Sequence, residues 1–285
     1  MPSRPLTEPL WFADRATYLA ATAPERSRRI QDAMRLGAMD TLFAHCAVCR
    51  ADTNLTVDAG LRLGPAVNLR EGLVCPQCGL NQRHRMLMGA ALQVAAASTY
   101  VLERLTPFYF KLADRLSGVV GSEYVDPALP SGTQVERHGI VFHHQDVSRL
   151  SFADATFDLV LHGDVFEHVF DYQAGLRELA RVLAPGGTML FTVPFREDRY
   201  DHLVRATRVG GEIRHLLPPE IHGNPIDPQG SLVYQTFGWR ILSDLRAAGF
   251  ASAAIGLHHD LGLGYSPNNS PHDDAMEAVL FKATR

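Results

Sequence analysis

The stretch FDLVLHGDVFEHVFDYQAGLRELARVLAPGGTMLFTVPF (Phe157–Phe195) decides the fold, because it contains a strand, a polar loop, a helix and a second strand in succession. Residues 157–161 form a short apolar run, typical of a parallel strand covered on both faces. Asp171 is a predicted helix N-cap, and the helix then carries apolar residues at i, i+3, i+4 and i+7: Leu176, Leu179, Ala180 and Leu183. Residues 185–187 (Pro-Gly-Gly) end the helix, and the apolar and β-branched residues 188–193 form the next strand. The stretch therefore predicts a right-handed crossover unit of a parallel sheet.

Polar residues follow the first of these strands directly. His162, Gly163 and Asp164 come at its carboxyl end, and Glu167 lies three residues further on. In parallel sheets ligands bind beyond the carboxyl ends of the strands. The sequence therefore places a functional edge at these residues.

Composition and charge limit the class of protein. The chain has 285 residues and is 46% hydrophobic, enough for one large domain with an accessory module. Lys plus Arg number 27 against 31 Asp plus Glu, which gives a net charge of −4 and disfavours nucleic acid as the main partner, although a local basic patch stays open. The N-terminus lacks a signal-peptide core and no segment is apolar enough to span a membrane, so we expect a soluble cytoplasmic protein. The sequence does not indicate an oligomeric state.

All four cysteines lie in two pairs with two residues between the members of each pair. The pairs are Cys46 with Cys49 and Cys75 with Cys78, and 25 residues separate them. Two such knuckles can complete a closed tetrahedral zinc site, which is a structural arrangement because no coordination position is left open. Two disulfides are the alternative, but a cytoplasmic setting disfavours them. We therefore predict a structural Zn²⁺ ion.

The cysteine pairs predict a small module before the main domain. We assign residues 1–45 to an N-terminal helical segment, 46–97 to a zinc ribbon with a linking helix, and 98–285 to the main domain. The Arg-His-Arg cluster at 83–85 begins the linking helix. It could contact a phosphate or carboxylate, or it could be a solvated first turn that forms salt bridges with the ribbon.

The main domain starts with alternating strands and helices. Strands are predicted at 99–103, 119–124 and 140–142, with Glu103 and Glu123 closing the first two. An acid at the end of the second strand is the usual partner of a ribose diol, because a carboxylate accepts both hydroxyl protons. Asp146 follows the third strand, where it could accept a hydrogen bond from an adenine amine.

At this point the sequence resembles the class I S-adenosylmethionine-dependent methyltransferases, over roughly residues 98–285. Three segments carry the resemblance: Asp146 followed by LSFADATFDLV (Leu150–Val160), DVFEHV (Asp164–Val169), and RVLAPGG (Arg181–Gly187). The resemblance implies a Rossmann-like, seven-stranded, mostly parallel sheet and S-adenosylmethionine as cofactor. The cofactor-binding residues that it implies are Glu103, Thr106, Glu123, Tyr124, Asp146, Val147, His162, Gly163, Asp164 and His168.

The first loop departs from the family pattern. This loop is normally glycine-rich, whereas here Glu103 is followed by Arg-Leu-Thr-Pro (104–107). A subset of the family with N-terminal zinc ribbons is similar in the Arg-His-Arg helix and in the Ser-Glu-Tyr of the second strand. The missing glycines keep open a non-catalytic cofactor-binding module, or a Rossmann-like domain that has lost its ligand.

An insertion at about 196–235, rich in His, Pro and Gly, is predicted to cap the pocket of the methyl acceptor. His222 and His202 are the candidate catalytic bases, although either could be an ordinary surface or hydrogen-bonding residue. We expect methyl transfer to the oxygen or nitrogen of a small molecule. An RNA- or protein-modifying methyltransferase that uses the zinc ribbon for recognition is the alternative.

Overall fold

The structure is a computed structural model that describes residues 7–63, 66–267 and 277–285. The chain divides into two compact units: unit 1 comprises Met1–Gln93 and Ala254–Phe281, and unit 2 comprises Val94–Ala253 and Lys282–Arg285. The division near residue 93 lies four residues before the predicted start of the main domain. Residues 254–281, which were predicted to be part of the main domain, belong to unit 1 instead.

Unit 1 begins with a short strand and two helices. The first helix is capped by Asp14, whose side chain accepts a hydrogen bond from the N–H of Thr17. The second helix ends at Gly37, and Leu42, within the segment 1–45 that we predicted to be helical, lies in a strand. The elements of this part are β1 (Leu10–Phe12), α1 (Arg15–Thr22), α2 (Arg26–Gly37), β2 (Thr41–Cys46), β3 (Ala51–Val57), β4 (Arg62–Leu63), β5 (Ala66–Val67), α3 (Leu69–Gly72), β6 (Leu73–Val74) and α4 (Gln82–Ala91).

Strands β2, β3 and β6 form a three-stranded antiparallel sheet, which corresponds to the predicted ribbon. In the β2–β3 hairpin, Cys46 pairs with Ala51, so the first cysteine knuckle is the connection between the two strands. The buried apolar side chains of this sheet are few: Ala44, Cys46, Leu55, Val57 and Leu73. So small an apolar core gives the ribbon little stability of its own.

Unit 2 contains the crossover unit predicted from Phe157–Phe195. Its elements are β7 (Thr99–Val101), α5 (Pro107–Ala113), β8 (Val119–Glu123), β9 (Gln134–Arg137), β10 (Ile140–His144), β11 (Phe157–Gly163), α6 (Tyr172–Val182), β12 (Leu183–Thr192), β13 (Leu203–Val204), β14 (Ala206–Val209), β15 (Glu212–His215), β16 (Ile221–His222), β17 (Ser231–Leu232), β18 (Gln235–Thr236) and α7 (Ile241–Ala247). Two later strands, β19 (Ser252–Leu257) and β20 (Val279–Thr284), cross the boundary between the units. From the sequence we expect the last strand to begin at Met276, a residue that lies outside the described part of the chain.

The strands of unit 2 lie in the order β12-β11-β7-β8-β10-β9. Every neighbouring pair is parallel except β9 with β10. The predicted Rossmann-like, mostly parallel sheet is therefore confirmed, while β9 and the N-terminal β1 were not predicted. The strand order reverses at β7, which has β11 on one side and β8 on the other. Such a switch point is where open α/β sheets bind their ligands.

Helix α6 has the features predicted from its sequence. The Asp171 side chain accepts a hydrogen bond from the N–H of Ala174 and so caps the helix. The predicted apolar stripe is buried: Leu176, Leu179, Ala180 and Leu183. Gly175 lies against Phe166: a Cβ at this position would be only 2.7 Å from the Phe166 ring, so the absence of a side chain allows the contact. The segment after β11 is therefore packed closely onto α6.

The insertion is more regular than we predicted. It contains three short antiparallel ladders, in which β13 pairs with β18, β14 with β15 and β16 with β17. It also binds the segment that follows β11: the N–H of Tyr234 donates to the Glu167 carbonyl oxygen at 2.7 Å, and the Gln235 amide donates to the Phe166 carbonyl oxygen at 2.7 Å. The insertion thus brings β16 to the carboxyl end of β11.

In the described parts of the chain, no helix combines the length and apolar character needed to cross a membrane.

Candidate functional site

A hydrogen bond from a predicted site residue, Glu103, connects the loops after β7 and β11 at the switch point. The carboxylate of Glu103, just beyond β7, accepts a hydrogen bond from the N–H of Gly163 at 2.7 Å. Gly163 is the last residue of β11 and is buried. The acid at the end of the first strand therefore sets the spacing of the two central loops.

Glu123, at the end of β8, binds the first loop. Its carboxylate accepts a hydrogen bond from the N–H of Leu105 at 2.6 Å, and only 8% of the residue is exposed. Burial raises the pKa of Glu123 to about 7, against the opposing effects of the Leu105 N–H and the positive charge of Arg104. A carboxylate has acceptor capacity for about four hydrogen bonds, so this contact leaves room for ribose hydroxyls.

Gly121 in β8 leaves space for side chains of the first loop and of α5, and it was not among the predicted site residues. A Cβ at Gly121 would lie 2.4 Å from the ring of Tyr109 and 2.8 Å from the side chain of Arg104. The Arg104 guanidinium also stacks over the rings of Tyr109 and Phe110, at 4.3 and 4.9 Å from their centroids. The glycine-free first loop therefore packs against β8 at a position where a side chain would not fit.

Asp164, directly after β11, has an unusual backbone conformation. Its φ is +58°, in the left-handed region that costs free energy for residues other than glycine. Thr192 at the end of β12 holds it there: the Thr192 hydroxyl donates to the Asp164 carboxylate at 2.8 Å, and the Asp164 N–H donates to the Thr192 carbonyl oxygen at 3.0 Å. Backbone strain of this kind is concentrated at ligand sites. Thr192 was not predicted, because its role depends on the register of two strands.

The residues predicted around an adenine lie after β8 and β10. The Asp146 carboxylate accepts hydrogen bonds from the N–H and the hydroxyl of Ser148, and its own N–H donates to the Ser131 hydroxyl. Asp146 is partly exposed, whereas the adjacent Val147 is 8% exposed. Tyr124 is 49% exposed, and its ring lies 5.3 Å from that of His144.

Two predicted cofactor residues have side chains that are already engaged. Thr106 is the N-cap of α5, and its hydroxyl accepts a hydrogen bond from the N–H of Tyr109. His162 is fully buried, with its ring stacked on Phe191 at 4.7 Å and edge-on to Phe166 at 4.6 Å. Burial lowers the pKa of His162 to about 3, so the ring is neutral. Its side chain is a core residue rather than one exposed to a ligand.

Three side chains meet where the insertion reaches the end of β11. The carboxylate of Glu167 lies 3.6 Å from Nε2 of His168 and 3.7 Å from Nδ1 of His222. Glu167 is fully buried, while 33% of the His222 side chain is exposed. Glu167 follows Asp164 by three residues, a spacing that is visible in the sequence, but its contact with β16 depends on the fold of the insertion.

His202, the other predicted catalytic base, does not join this group. Its Nε2 lies 2.9 Å from the carboxylate of Asp244, and its Nδ1 accepts a hydrogen bond from the N–H of Gly238. Only 6% of its side chain is exposed. Both ring nitrogens are engaged within the protein, which favours a structural role for His202.

In unit 1 the four cysteines converge as predicted. The Sγ atoms of Cys46 and Cys78 are 3.9 Å apart, those of Cys49 and Cys75 are 3.8 Å apart, and all four lie within 4.8 Å of one another. Sulfur atoms about 2.3 Å from a tetrahedral zinc ion are separated by about 3.8 Å, whereas a disulfide requires about 2.05 Å. The cluster therefore fits one zinc ion and not two disulfides.

The two knuckles share a backbone feature that tightens them. The residue after the second cysteine of each pair has a positive φ, +56° at Arg50 and +74° at Gly79. The N–H of Arg50 donates to the Cys46 carbonyl oxygen, and the N–H of Gly79 to the Cys75 carbonyl oxygen, both at 2.8 Å. A positive φ is expected for Gly79, because glycine adopts it at low cost, whereas it is unusual for Arg50.

The Arg-His-Arg cluster is engaged within unit 1. The Arg83 guanidinium forms a salt bridge with Glu71 at 2.8 Å. Arg85 is fully buried and donates hydrogen bonds to three carbonyl oxygens, those of Leu73, Leu263 and Gly264. Of the two alternatives, the contacts favour salt bridging to the ribbon over binding of a phosphate.

Replacing Arg85 with Met should lower the free energy of unfolding by about 2–4 kcal/mol, because three buried carbonyl groups would lose their donor. Urea denaturation measures this change. Arg28→Met is the matched control, since the Arg28 side chain is 73% exposed and its replacement should change stability by less than about 0.5 kcal/mol. Equal stability of the two variants would show that the Arg85 contacts contribute little.

Comparison with known proteins adds to this geometry. Residues 105–191 match a family described as a methyltransferase domain. A demethylmenaquinone methyltransferase of Mycolicibacterium vanbaalenii is 49% identical over 127 residues, which are 40% of this chain and 54% of that protein. A demethylmenaquinone methyltransferase of Deinococcus radiodurans is 37% identical over 75 residues, which are 25% of this chain and 31% of that protein.

A solved structure, an S-adenosylmethionine dependent methyltransferase from Mesorhizobium loti, is 18% identical, covers 70% of this chain and 98% of its own, and has a TM-score of 0.42. The chain spans between about a third and about a half of the length of the two curated relatives. The family match shows a methyltransferase domain over residues 105–191, and the chain also carries a cluster of four cysteines before it.

Proposed function

We propose that this protein transfers a methyl group from S-adenosylmethionine to an oxygen or nitrogen of a small molecule. Three acids, Glu103, Glu123 and Asp164, lie at the ends of neighbouring strands at the switch point of the sheet, and each is held there by a hydrogen bond. This arrangement is the observation that carries the proposal. The match of residues 105–191 to a methyltransferase domain supports it.

The acids at this edge fit the cofactor in chemistry and position. Glu123 would accept hydrogen bonds from the ribose hydroxyls, and Asp146 from the adenine amine. Glu103 and Asp164 would place negative charge near the methionine part, which carries a cationic sulfonium. When bound, the cofactor supplies an activated methyl group.

Positioning is the main contribution that we assign to the chain. Alignment of an acceptor with the methyl group and exclusion of water account for much of the rate of such a transfer. The Glu103 bond to Gly163 and the Thr192 bonds to Asp164 keep the two central loops in fixed positions. We therefore assign Glu103 and Thr192 to positioning of the site.

In this proposal the insertion forms the part of the site that binds the methyl acceptor. It reaches the end of β11 through Tyr234 and brings His222 to Glu167, so His222 is the catalytic candidate that lies at this edge. The relatives named demethylmenaquinone methyltransferases support a small-molecule acceptor. The engaged Arg83 and Arg85 give no support to an RNA acceptor.

We also propose a structural Zn²⁺ ion bound by Cys46, Cys49, Cys75 and Cys78. The sulfur separations of 3.8 and 3.9 Å support it. Four protein ligands complete a tetrahedral shell, which leaves no position for a substrate.

Calorimetric titration with S-adenosylmethionine and its demethylated product tests the proposed function. We expect binding to the wild type and affinity about tenfold weaker or worse for Asp146→Ala, which loses a hydrogen-bond acceptor for the adenine amine. Asp201→Ala is the control, because the Asp201 side chain is 76% exposed and its nearest ionic partner, Arg240, is 3.9 Å away. Wild-type protein that binds neither compound would refute the proposed function.

A further inference from the structure

Glu167, His168 and His222 have the composition and spacing of a metal site that lies apart from the cysteine cluster in the sequence. One potential ligand atom from each residue lies within 4.8 Å of the other two. The two histidine nitrogens are 3.6 and 3.7 Å from the same oxygen of Glu167. Ligand atoms about 2.05 Å from a tetrahedral ion are separated by about 3.4 Å. Small side-chain movements would therefore bring the three ligand atoms to the separations that a bound ion requires.

The far nitrogen of each histidine is held by an acceptor. His168 Nδ1 lies 3.0 Å from the carbonyl oxygen of Leu232, and His222 Nε2 lies 3.0 Å from a carboxylate oxygen of Glu220. Carbonyl and carboxylate oxygens are hydrogen-bond acceptors, so these nitrogens are assigned as donors, and a neutral ring then has its lone pair on the nitrogen near Glu167. Histidines that bind metal are oriented in this way, by a carbonyl or carboxylate on the other nitrogen.

The buried carboxylate of Glu167 is a second, independent sign of a bound cation. The Glu167 side chain is fully buried, and neither carboxylate oxygen accepts a hydrogen bond from the residues that the structure describes. A buried carboxylate normally has hydrogen-bond donors or a cation as partners, because the loss of hydration is costly. Within the described residues, the basic side chains within 4.0 Å of it are the two imidazoles, whose nitrogens lie too far away for hydrogen bonds.

We propose that Glu167, His168 and His222 bind a divalent first-row transition-metal ion such as Zn²⁺. Two imidazoles and one carboxylate favour such an ion over Mg²⁺ or Ca²⁺, which prefer oxygen ligands. Three protein ligands leave at least one position open for water or for an oxygen or nitrogen of another molecule. The site is therefore of the open type, unlike the closed four-cysteine cluster.

The place of the site in the fold suggests its use. Glu167 follows the strained Asp164 by three residues at the carboxyl end of β11, and His222 comes from the insertion. An ion here would bind the acceptor atom and lower its proton affinity. This use rests on the proposed function, whereas binding of the ion does not.

Metal analysis of the full-length chain without a polyhistidine tag tests the inference. After equilibration with micromolar Zn²⁺ and removal of excess ion, we expect two zinc ions per chain for the wild type and one for Glu167→Gln and His222→Ala. The zinc retained at the cysteines reports that each variant has folded. Calorimetric Zn²⁺ titration should show affinity for the second ion at least about 100-fold weaker in both variants, and about 10- to 100-fold weaker in Glu220→Gln.

His215→Ala is the matched control, because His215 is an exposed histidine of the same insertion, and it should retain two ions per chain. A single zinc ion in the wild type would overturn the inference and define the group as a Glu–His ion pair. Unchanged affinity for the second ion in both Glu167→Gln and His222→Ala would also overturn it. These measurements contain no S-adenosylmethionine, so their outcome is separate from failure of the proposed function.

Discussion

Cys75→Ser is expected to release the structural zinc ion and unfold the ribbon. Cys75 is fully buried, and its sulfur lies 3.8 Å from that of Cys49. Structural zinc sites contribute about 10–16 kcal/mol of apparent binding free energy, and the ribbon has few buried apolar side chains to replace this contribution. A loss of about 5 kcal/mol would lower the midpoint of thermal unfolding by roughly 10–20 °C for a chain of this size.

Metal content and circular dichroism during heating measure this outcome. The Cys75→Ser protein should hold one zinc ion fewer per chain than the wild type. Asn54→Ser is the control within the same ribbon, because Asn54 is exposed on β3 and its replacement should leave zinc content and unfolding unchanged. A Cys75→Ser protein with wild-type zinc content and an unchanged unfolding midpoint would contradict a structural role for the metal.

The cysteine cluster and the parallel strands could be predicted because their signals are local. Two residues between paired cysteines suffice to define a knuckle, and a continuous apolar run defines β11. Asp171 could be identified as a cap because capping depends on the next three residues. In each of these cases the signal lies within a few consecutive residues.

The surroundings of a predicted site residue could not be predicted where distant contacts decide them. His162 follows a strand and was predicted to contact the cofactor, but Phe166 and Phe191 enclose its ring. Arg85 looks like a surface residue in sequence, but it is buried because carbonyl groups 178 and 179 residues away accept its hydrogen bonds. A sequence pattern of a few residues does not contain these partners.

The first loop is a further case in which contacts between residues distant in sequence could not be predicted. In the sequence, the absence of glycine after Glu103 is a departure from the family pattern. In the structure, the side chains around this loop need a glycine at another place, Gly121, whose missing Cβ leaves space for Tyr109 and Arg104. A family pattern identifies where glycine is usual, whereas the need for glycine depends on which backbone segments approach each other.

Glu123→Gln is expected to weaken S-adenosylmethionine binding by about 10- to 100-fold at pH 8. The neutral amide is a weaker acceptor for the ribose hydroxyls than the carboxylate, and we expect this to cost about 1.5–3 kcal/mol in total. Calorimetric titration measures the loss. Glu136→Gln is the matched control, since Glu136 is an exposed acid on β9 and should bind the cofactor as the wild type does.

The same residue should make cofactor binding depend on pH. Burial raises the pKa of Glu123 to about 7, so the carboxyl group is mostly protonated at pH 6 and mostly ionised at pH 8. Because the ionised form is the better acceptor of two hydroxyl protons, wild-type affinity should be about tenfold weaker at pH 6 than at pH 8. Glu123→Gln has no ionisable group here, and its weaker affinity should vary little over this range.

The free energy of unfolding, measured without cofactor, distinguishes a loss of cofactor binding from misfolding of the variant. A carboxyl pKa that is higher in the folded than in the unfolded chain means that the folded state binds the proton more tightly, so the contribution of Glu123 to stability falls as the pH rises through about 7. Glu123→Gln removes the buried charge, so at pH 8 the variant should be at least as stable as the wild type in urea denaturation. A variant that keeps this stability but loses cofactor affinity would assign Glu123 to binding. Wild-type affinity at both pH values in the variant would instead exclude Glu123 from the cofactor site.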